Sequence, residues 1–194
     1  MTVETNDLLQ AINILKEKKW VDLTHTFGRE SPHFSAFEPA EVKTLFDHDD
    51  GFFAQQFSFP TQYGTHIDAP IHFVRDTRYL DELELKELVL PLVVLDFSEE
   101  AGRDADFTLS VDDIKAFEAV HGEIEAGTFV ALRTDWSKRW PNKELFDNKD
   151  EDGNNRIPGW GLEALQFLFE ERGIKAVGHE TYDTDSAIDF QKHG

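Results

Sequence analysis

The chain has 194 residues, 40% of them hydrophobic and including 17 Phe and 4 Trp, which is enough to bury a core and too apolar for a disordered segment. Its 19 Lys and Arg face 39 Asp and Glu, and the resulting charge of -20 repels nucleic acid and anionic membranes, so neither is an expected partner. There is no cysteine, which excludes disulfides, thiolate metal sites and a Cys nucleophile and leaves nitrogen and oxygen as the only metal donors.

Met1 to Leu9 lacks the basic and apolar stretches of a signal peptide, and no run of about 18 apolar residues exists to span a membrane, so the expected location is cytoplasmic. Asn6 is placed to cap a first helix, whose apolar positions Leu8, Leu9, Ile12 and Leu15 have helical spacing and which ends near Lys16, Lys18 and Lys19. Trp20 to His25 reads as a strand. Residues 28–50, with Gly28, Pro32, Pro39 and an Asp-rich run, read as a long irregular stretch. Phe52 to Phe59 has the aromatics of a strand, and the continuous apolar runs from Leu90 to Phe97 and from Thr128 to Arg133 read as buried strands.

Between those runs Ser110 caps a helix carrying Ile114, Phe117 and Val120, closed by Gly122. A polar stretch from Asn142 to Asn155 reads as a mobile surface insertion; its Asp147, Asp150 and Asp152 lack the spacing of an EF-hand calcium loop. A last helix, Leu162 to Arg172, stops at Gly173 and feeds the short strand Ile174 to Val177. Strands alternating with helices in one domain over residues 1–194 give an α/β class.

The chemistry concentrates between Gln62 and Phe73. Gln62, His66, Asp68 and His72 are separated by even numbers, and in an extended chain such residues share one side. His66-x-Asp68 supplies one neutral nitrogen and one anionic oxygen, a set that suits Zn²⁺, Mn²⁺ or Fe²⁺ and leaves room for water and substrate. Gly64 permits a bulge, and Pro70 ends any central strand. On spacing alone a metal site and a hydrogen-bonded polar strand both remain open.

The run Gln62-Tyr-Gly-Thr-His-Ile-Asp-Ala-Pro-Ile-His72 resembles the signature His-x-Gly-Thr-His-x-Asp-x-Pro-x-His of the cyclase-like metal-dependent hydrolases, the family that includes bacterial kynurenine formamidase and isatin hydrolase, and matches every fixed position except the first. Asp22-Leu-Thr-His25 is similar to the family's early Asp-Leu-Ser/Thr-His strand, Arg133-Thr-Asp-Trp136 to its Arg-Thr-Gly-Trp, and Gly178-His-Glu-Thr181 with Asp185 to its Gly-Ile-Asp-Thr segment. The resemblance implies a swivelling β/β/α barrel-like cyclase fold assembled as dimers or tetramers. It implies a divalent metal, Mn²⁺ or Zn²⁺, on Gln62, His66 and Asp68, with His72 as the acid/base and His193 as the family's second catalytic histidine. Two departures stand out. Gln62 replaces a histidine ligand, which favours a hard cation such as Mn²⁺ or Mg²⁺ over Zn²⁺. No counterpart of the family's later glutamate and final strand follows His193, which reads as a domain truncated at its C-terminus.

His33 and Phe37, with His25 and Phe34, are candidates to line a substrate pocket, as family members place an early-loop aromatic over the substrate. His179 and Glu180, at a strand end, are further candidates. Trp136 and Trp140 read as packing groups, and His48 and His121 as solvated ones. The expected activity is metal-dependent hydrolysis of an amide, aryl formamide or cyclic amide or imide, with a small-molecule substrate; no Gly-x-Ser-x-Gly elbow supports a serine nucleophile. The rival expectation is a catalytically silent binding or scaffold protein that keeps the fold.

Overall fold

A computed structural model describes residues 5–193, and the side chains of residues 7–192. In chain order the elements are α1 (Thr5–Glu17), β1 (Glu41–Phe46), β2 (Ala54–Ser58), β3 (Leu92–Asp96), α2 (Ser98–Arg103), β4 (Thr108–Leu109), α3 (Val111–His121), β5 (Phe129–Arg133), α4 (Lys143–Asp147), β6 (Gly159–Trp160), α5 (Leu162–Gln166), β7 (Ala176–Gly178) and α6 (Ala187–His193). Strands β3, β5 and β7 pair in parallel in that order, with Leu95 opposite Leu132 and Val130 opposite Val177. Parallel neighbours need crossovers, and helices supply them.

Leu95, Val130 and Leu132 pack on Ile114 of α3, on Ala164 of α5 and on Leu168 in the π-helical turn that follows it; all six are at most 1% exposed. Truncating one of the large aliphatic residues here, Leu132→Ala for instance, costs about 3 kcal/mol. The opposite face of the sheet is open, with Leu92 and Val94 half exposed. The apolar runs are therefore buried on one face only, which corrects the expectation of fully buried strands.

Ser110 caps α3 as expected, through its hydroxyl and the Asp113 amide, and Gly122 closes it. A second parallel pair, β4 with β6, sits beside the core with Trp160 fully buried. Hairpin β1–β2 forms its own two-stranded antiparallel sheet, and its Phe46, Phe52, Phe53 and Phe57 stay exposed outside both buried clusters.

Several local expectations change. Trp20 to His25 forms no strand, because a β-type run needs a partner and none pairs with it among the described residues. The stretch 28–50 contains β1, held by its ladder to β2. Asn142 to Asn155 begins with α4, which Asn142 caps through Leu145 N at 3.0 Å, and ends in a tight turn closed by a Lys149–Asn155 bridge. The Asn6 cap lies outside the described side chains. None of the helices among the described residues is long and apolar enough to cross a membrane.

The parallel strands deliver Asp96, Arg133 and Gly178 to one end of the sheet. In such folds the carboxyl ends of strands gather site residues.

Candidate active site

The candidate site is a loop that the rest of the chain pins in place. Tyr63, 3% exposed, donates its hydroxyl to the carbonyls of Arg29 and Ser31 at 3.2 and 3.4 Å and accepts Ala40 N at 3.2 Å. Gly64 then turns the chain at φ +68, against the Phe27 ring, where a Cβ would come within 3.0 Å of Cδ2. The left-handed turn and the close ring both require glycine there. Thr65 Oγ1 accepts His25 N at 3.0 Å, tying the next residue to the N-terminal segment. Pro70 to His72 forms a 3₁₀ turn closed by His72 N to Ala69 O at 2.9 Å.

This loop brings the predicted residues together by a route other than the one expected. Residues 61–73 contain no strand. The even spacing works through the Gly64 turn and the 3₁₀ turn, which stack the side chains around Asp68. His66 Nε2 lies 3.6 Å and His72 Nε2 4.0 Å from Asp68 Oδ1, and Gln62 Nε2 donates to that same oxygen at 3.1 Å.

His66 Nδ1 lies 2.9 Å from the Gly64 carbonyl, which can only accept, so the neutral imidazole carries its proton on Nδ1. Its Nε2 faces the Asp68 carboxylate oxygen at 3.6 Å, and in the neutral ring that nitrogen is a lone-pair donor. Two acceptors facing each other suit a cation, and a backbone carbonyl on the far ring nitrogen is the usual support of a metal-ligating histidine. The distance fits, since two donors each about 2.0 Å from a tetrahedral cation stand about 3.3 Å apart. Among the described residues no group of three or more His, Asp or Glu side chains is arranged to hold a metal ion, so the pair needs another donor. Gln62 carries one in its amide oxygen, which here accepts from Thr61 Oγ1.

His179 follows β7 and joins the same electrostatic neighbourhood. Burial pushes its imidazole down to about 4, against the opposing pull of the Asp68 carboxylate, so it is neutral at pH 7. Its two nitrogens face Thr181 Oγ1 at 3.3 Å and Thr184 Oγ1 at 3.4 Å. Burial, with the Asp185 charge, pushes the Asp183 carboxyl up in the same loop. Glu180 points elsewhere: its carboxylate accepts Thr134 N at 3.4 Å and Ser137 N at 2.8 Å, capping the 3₁₀ turn Trp136–Arg139, so the pocket role expected of it gives way to a structural one.

Two early-loop residues reach this loop, His33 through Tyr63 and His25 through Thr65. His33 stacks on Tyr63 at 5.1 Å with its Nδ1 2.8 Å from Ser31 O, and Phe37 meets Phe34 edge-on at 5.5 Å. His25 stacks on Trp140 at 4.4 Å. Trp136 is buried and donates Nε1 to Phe146 O, as a packing group should. His48 and His121 are exposed. His193 ends α6, and its side chain lies outside the described residues. An open groove of about 850 Å³, between Arg29, Glu38, Glu41 and Phe59, contains none of the candidate residues.

The sequence does not announce the roles of Tyr63, Lys143 and Tyr182, which depend on contacts between distant segments. Asp147 is held by Lys143 and Tyr182, and the Asp150 carboxylate accepts the amides of Asp152 and Asn154.

The family model for Cyclase matches residues 21–186. The chain is 36% identical over 171 residues to isatin hydrolase of Roseibium aggregatum, a match covering 86% of this chain and 63% of that protein's length. It is 24% identical over 179 residues to kynurenine formamidase of Bacillus anthracis, covering 90% and 74%. The solved structure of isatin hydrolase A from Ralstonia solanacearum superposes with a TM-score of 0.86 at 33% identity, over 96% of this chain and 75% of that one.

Proposed function

Since the chain belongs to the Cyclase family, we propose that it is a metal-dependent hydrolase of a carbon–nitrogen bond in a small amide, aryl formamide or cyclic amide or imide, using a divalent metal ion, Mn²⁺ or Zn²⁺. The observation that carries this reading is His66 Nε2 set against Asp68 Oδ1 at 3.6 Å, with Gln62 and His72 facing the same oxygen. The names of its relatives, isatin hydrolase and kynurenine formamidase, support the bond type.

His66, Asp68 and Gln62 would hold the cation, which when bound polarises the scissile carbonyl and makes a water more acidic. His72 takes the proton of the attacking water on Nε2, with the Asp68 carboxylate 4.0 Å away to stabilise the imidazolium that forms. It then returns that proton to the leaving nitrogen, and no covalent enzyme intermediate is needed. His179, neutral at pH 7 and held by the Thr181 and Thr184 hydroxyls, is proposed to border the substrate without bringing a charge. His33 and Phe37 supply the apolar wall for an aromatic ring. His193 is proposed to act with His72 in proton transfer.

We further propose that the protein works as a homo-oligomer in the cytoplasm. The exposed Phe46, Phe52, Phe53 and Phe57 of the hairpin and the open Leu92–Val94 face of the sheet support association. The test of the activity is a panel of aryl formamides, lactams and cyclic imides, assayed with metal-stripped protein and again after adding Mn²⁺ or Zn²⁺. Metal-dependent turnover of at least one is expected. Stoichiometric metal with no turnover across the panel favours the silent binding protein instead.

A further inference from the structure

Lys143, Asp147 and Tyr182 lie outside the Gln62–His72 loop, yet they join two segments that border it. Lys143 Nζ donates to the His33 carbonyl at 2.8 Å and to Asp147 Oδ1 at 3.0 Å. Tyr182 donates its hydroxyl to that same Asp147 oxygen at 2.8 Å. Helix α4 sets the Lys–Asp pair, since residues four apart share a helix face. The Asp147 side chain is 13% exposed and that of Lys143 40%, so the carboxylate end of the pair is shielded while the lysine stays open to solvent.

The two ends of this chain of bonds have different duties. At one end is His33, stacked on Tyr63, the neighbour of Gln62, and followed by Phe34 and Phe37. At the other end Tyr182 belongs to the loop that carries His179, three residues earlier, and its ring packs edge-on against Phe146 at 4.8 Å. Tyr182 stays neutral, because burial and the Asp147 carboxylate both push its phenol up. The ammonium and the phenol converge on one carboxylate oxygen, at 3.0 and 2.8 Å.

We propose that Lys143, Asp147 and Tyr182 are positioning residues that set the spacing between the His33–Phe37 strip and the His179 loop, and with it the width of the substrate pocket. The proposal rests on the functional reading above for its pocket, but its geometry does not. A merely structural network would lower stability and leave substrate affinity alone. A positioning network makes substrate binding sensitive to the length and direction of two specific bonds.

The experiment compares Lys143→Met, Lys143→Arg and Tyr182→Phe with wild type on the best substrate of the panel, and follows amide hydrogen exchange at residues 33–37. Tyr182→Phe keeps the ring packing and removes only the donor, so it is expected to fold. For both Lys143→Met and Tyr182→Phe the expected result is a KM raised about ten-fold with kcat within about two-fold, and exchange at Phe34 to Phe37 accelerated by about the same factor. Lys143→Arg, which keeps a cationic donor, is expected to recover most of the KM. Unchanged KM together with unchanged exchange in Tyr182→Phe and Lys143→Met overturns the proposal. If wild type turns over nothing in the panel, the exchange measurement still decides: faster exchange at residues 33–37 with an unchanged melting temperature supports the clamp, and unchanged exchange, or exchange that rises everywhere with a lowered melting temperature, overturns it.

Discussion

Gln62 Nε2 donates to Asp68 Oδ1 at 3.1 Å, so the amide that stands where the family carries a histidine already faces the candidate metal site. Turning that amide over would present its oxygen to a cation at the cost of two hydrogen bonds, the one Nε2 gives to Asp68 and the one the oxygen accepts from Thr61. A neutral amide oxygen is a hard, weak donor, whereas imidazole suits Zn²⁺. Gln62→His should therefore shift the preference toward Zn²⁺ over Mn²⁺ by about ten-fold in relative affinity, about 1.4 kcal/mol. Parallel titrations with the two metals check this; unchanged ratios would remove Gln62 from the coordination sphere.

His72 is the second test, because its place on Asp68 at 4.0 Å allows either a ligand or a proton carrier. As acid/base, His72→Ala should lower kcat by at least about 100-fold while leaving metal affinity within about three-fold. Loss of metal together with activity would make it a ligand instead.

Much of this site was legible in the sequence, and the reason is local. The Gln62–His72 segment carries its own turn chemistry in Gly64 and Pro70, so residues that meet in space are near in sequence. The parallel strands were legible for a similar reason: Leu92–Asp96 and Phe129–Arg133 are apolar runs long enough to declare themselves. What was not legible depends on partners far away in the chain. Trp20 to His25 has strand composition and pairs with no strand among the described residues, Glu180 at a strand end caps a neighbouring turn, and the Lys143–His33 bond spans 110 residues.

Acid stability offers a check on the fold away from the site. The Arg172 guanidinium grips Glu118 through two bonds, at 2.7 and 2.9 Å, and holds its carboxyl below the ordinary value; the Ile124 amide adds to the effect. A depressed carboxylate contributes its stability above the unfolded-state pKa and loses it as pH falls through the lower folded-state value. Glu118→Gln should therefore cost about 1 kcal/mol at pH 7 and almost nothing once both states are protonated. Thermal melts of both proteins between pH 7 and pH 3 should converge as pH falls below about 4.5. A constant difference between them would contradict the role of the ion pair.

Association follows from the exposed aromatics. Phe52 and Phe53, 54% and 53% exposed at the hairpin tip, together with Phe57, make an apolar surface that water disfavours. Light scattering at micromolar concentration should give a dimer or larger species. Replacing Phe52 and Phe53 by Ser should weaken the assembly by about ten-fold or more in Kd. A clean wild-type monomer would leave those side chains without the covering proposed for them.

The most direct test of the account is calorimetric titration of metal-stripped protein with Mn²⁺ and with Zn²⁺, beside the Asp68→Ala variant. Asp68 Oδ1 is the one atom that His66, His72 and Gln62 all face, so removing it should dismantle the site without touching the buried core. Wild type is expected to show one saturable divalent-metal site, and Asp68→Ala at least about 100-fold weaker binding. Equal binding by the two proteins, or none by wild type, would contradict that expectation.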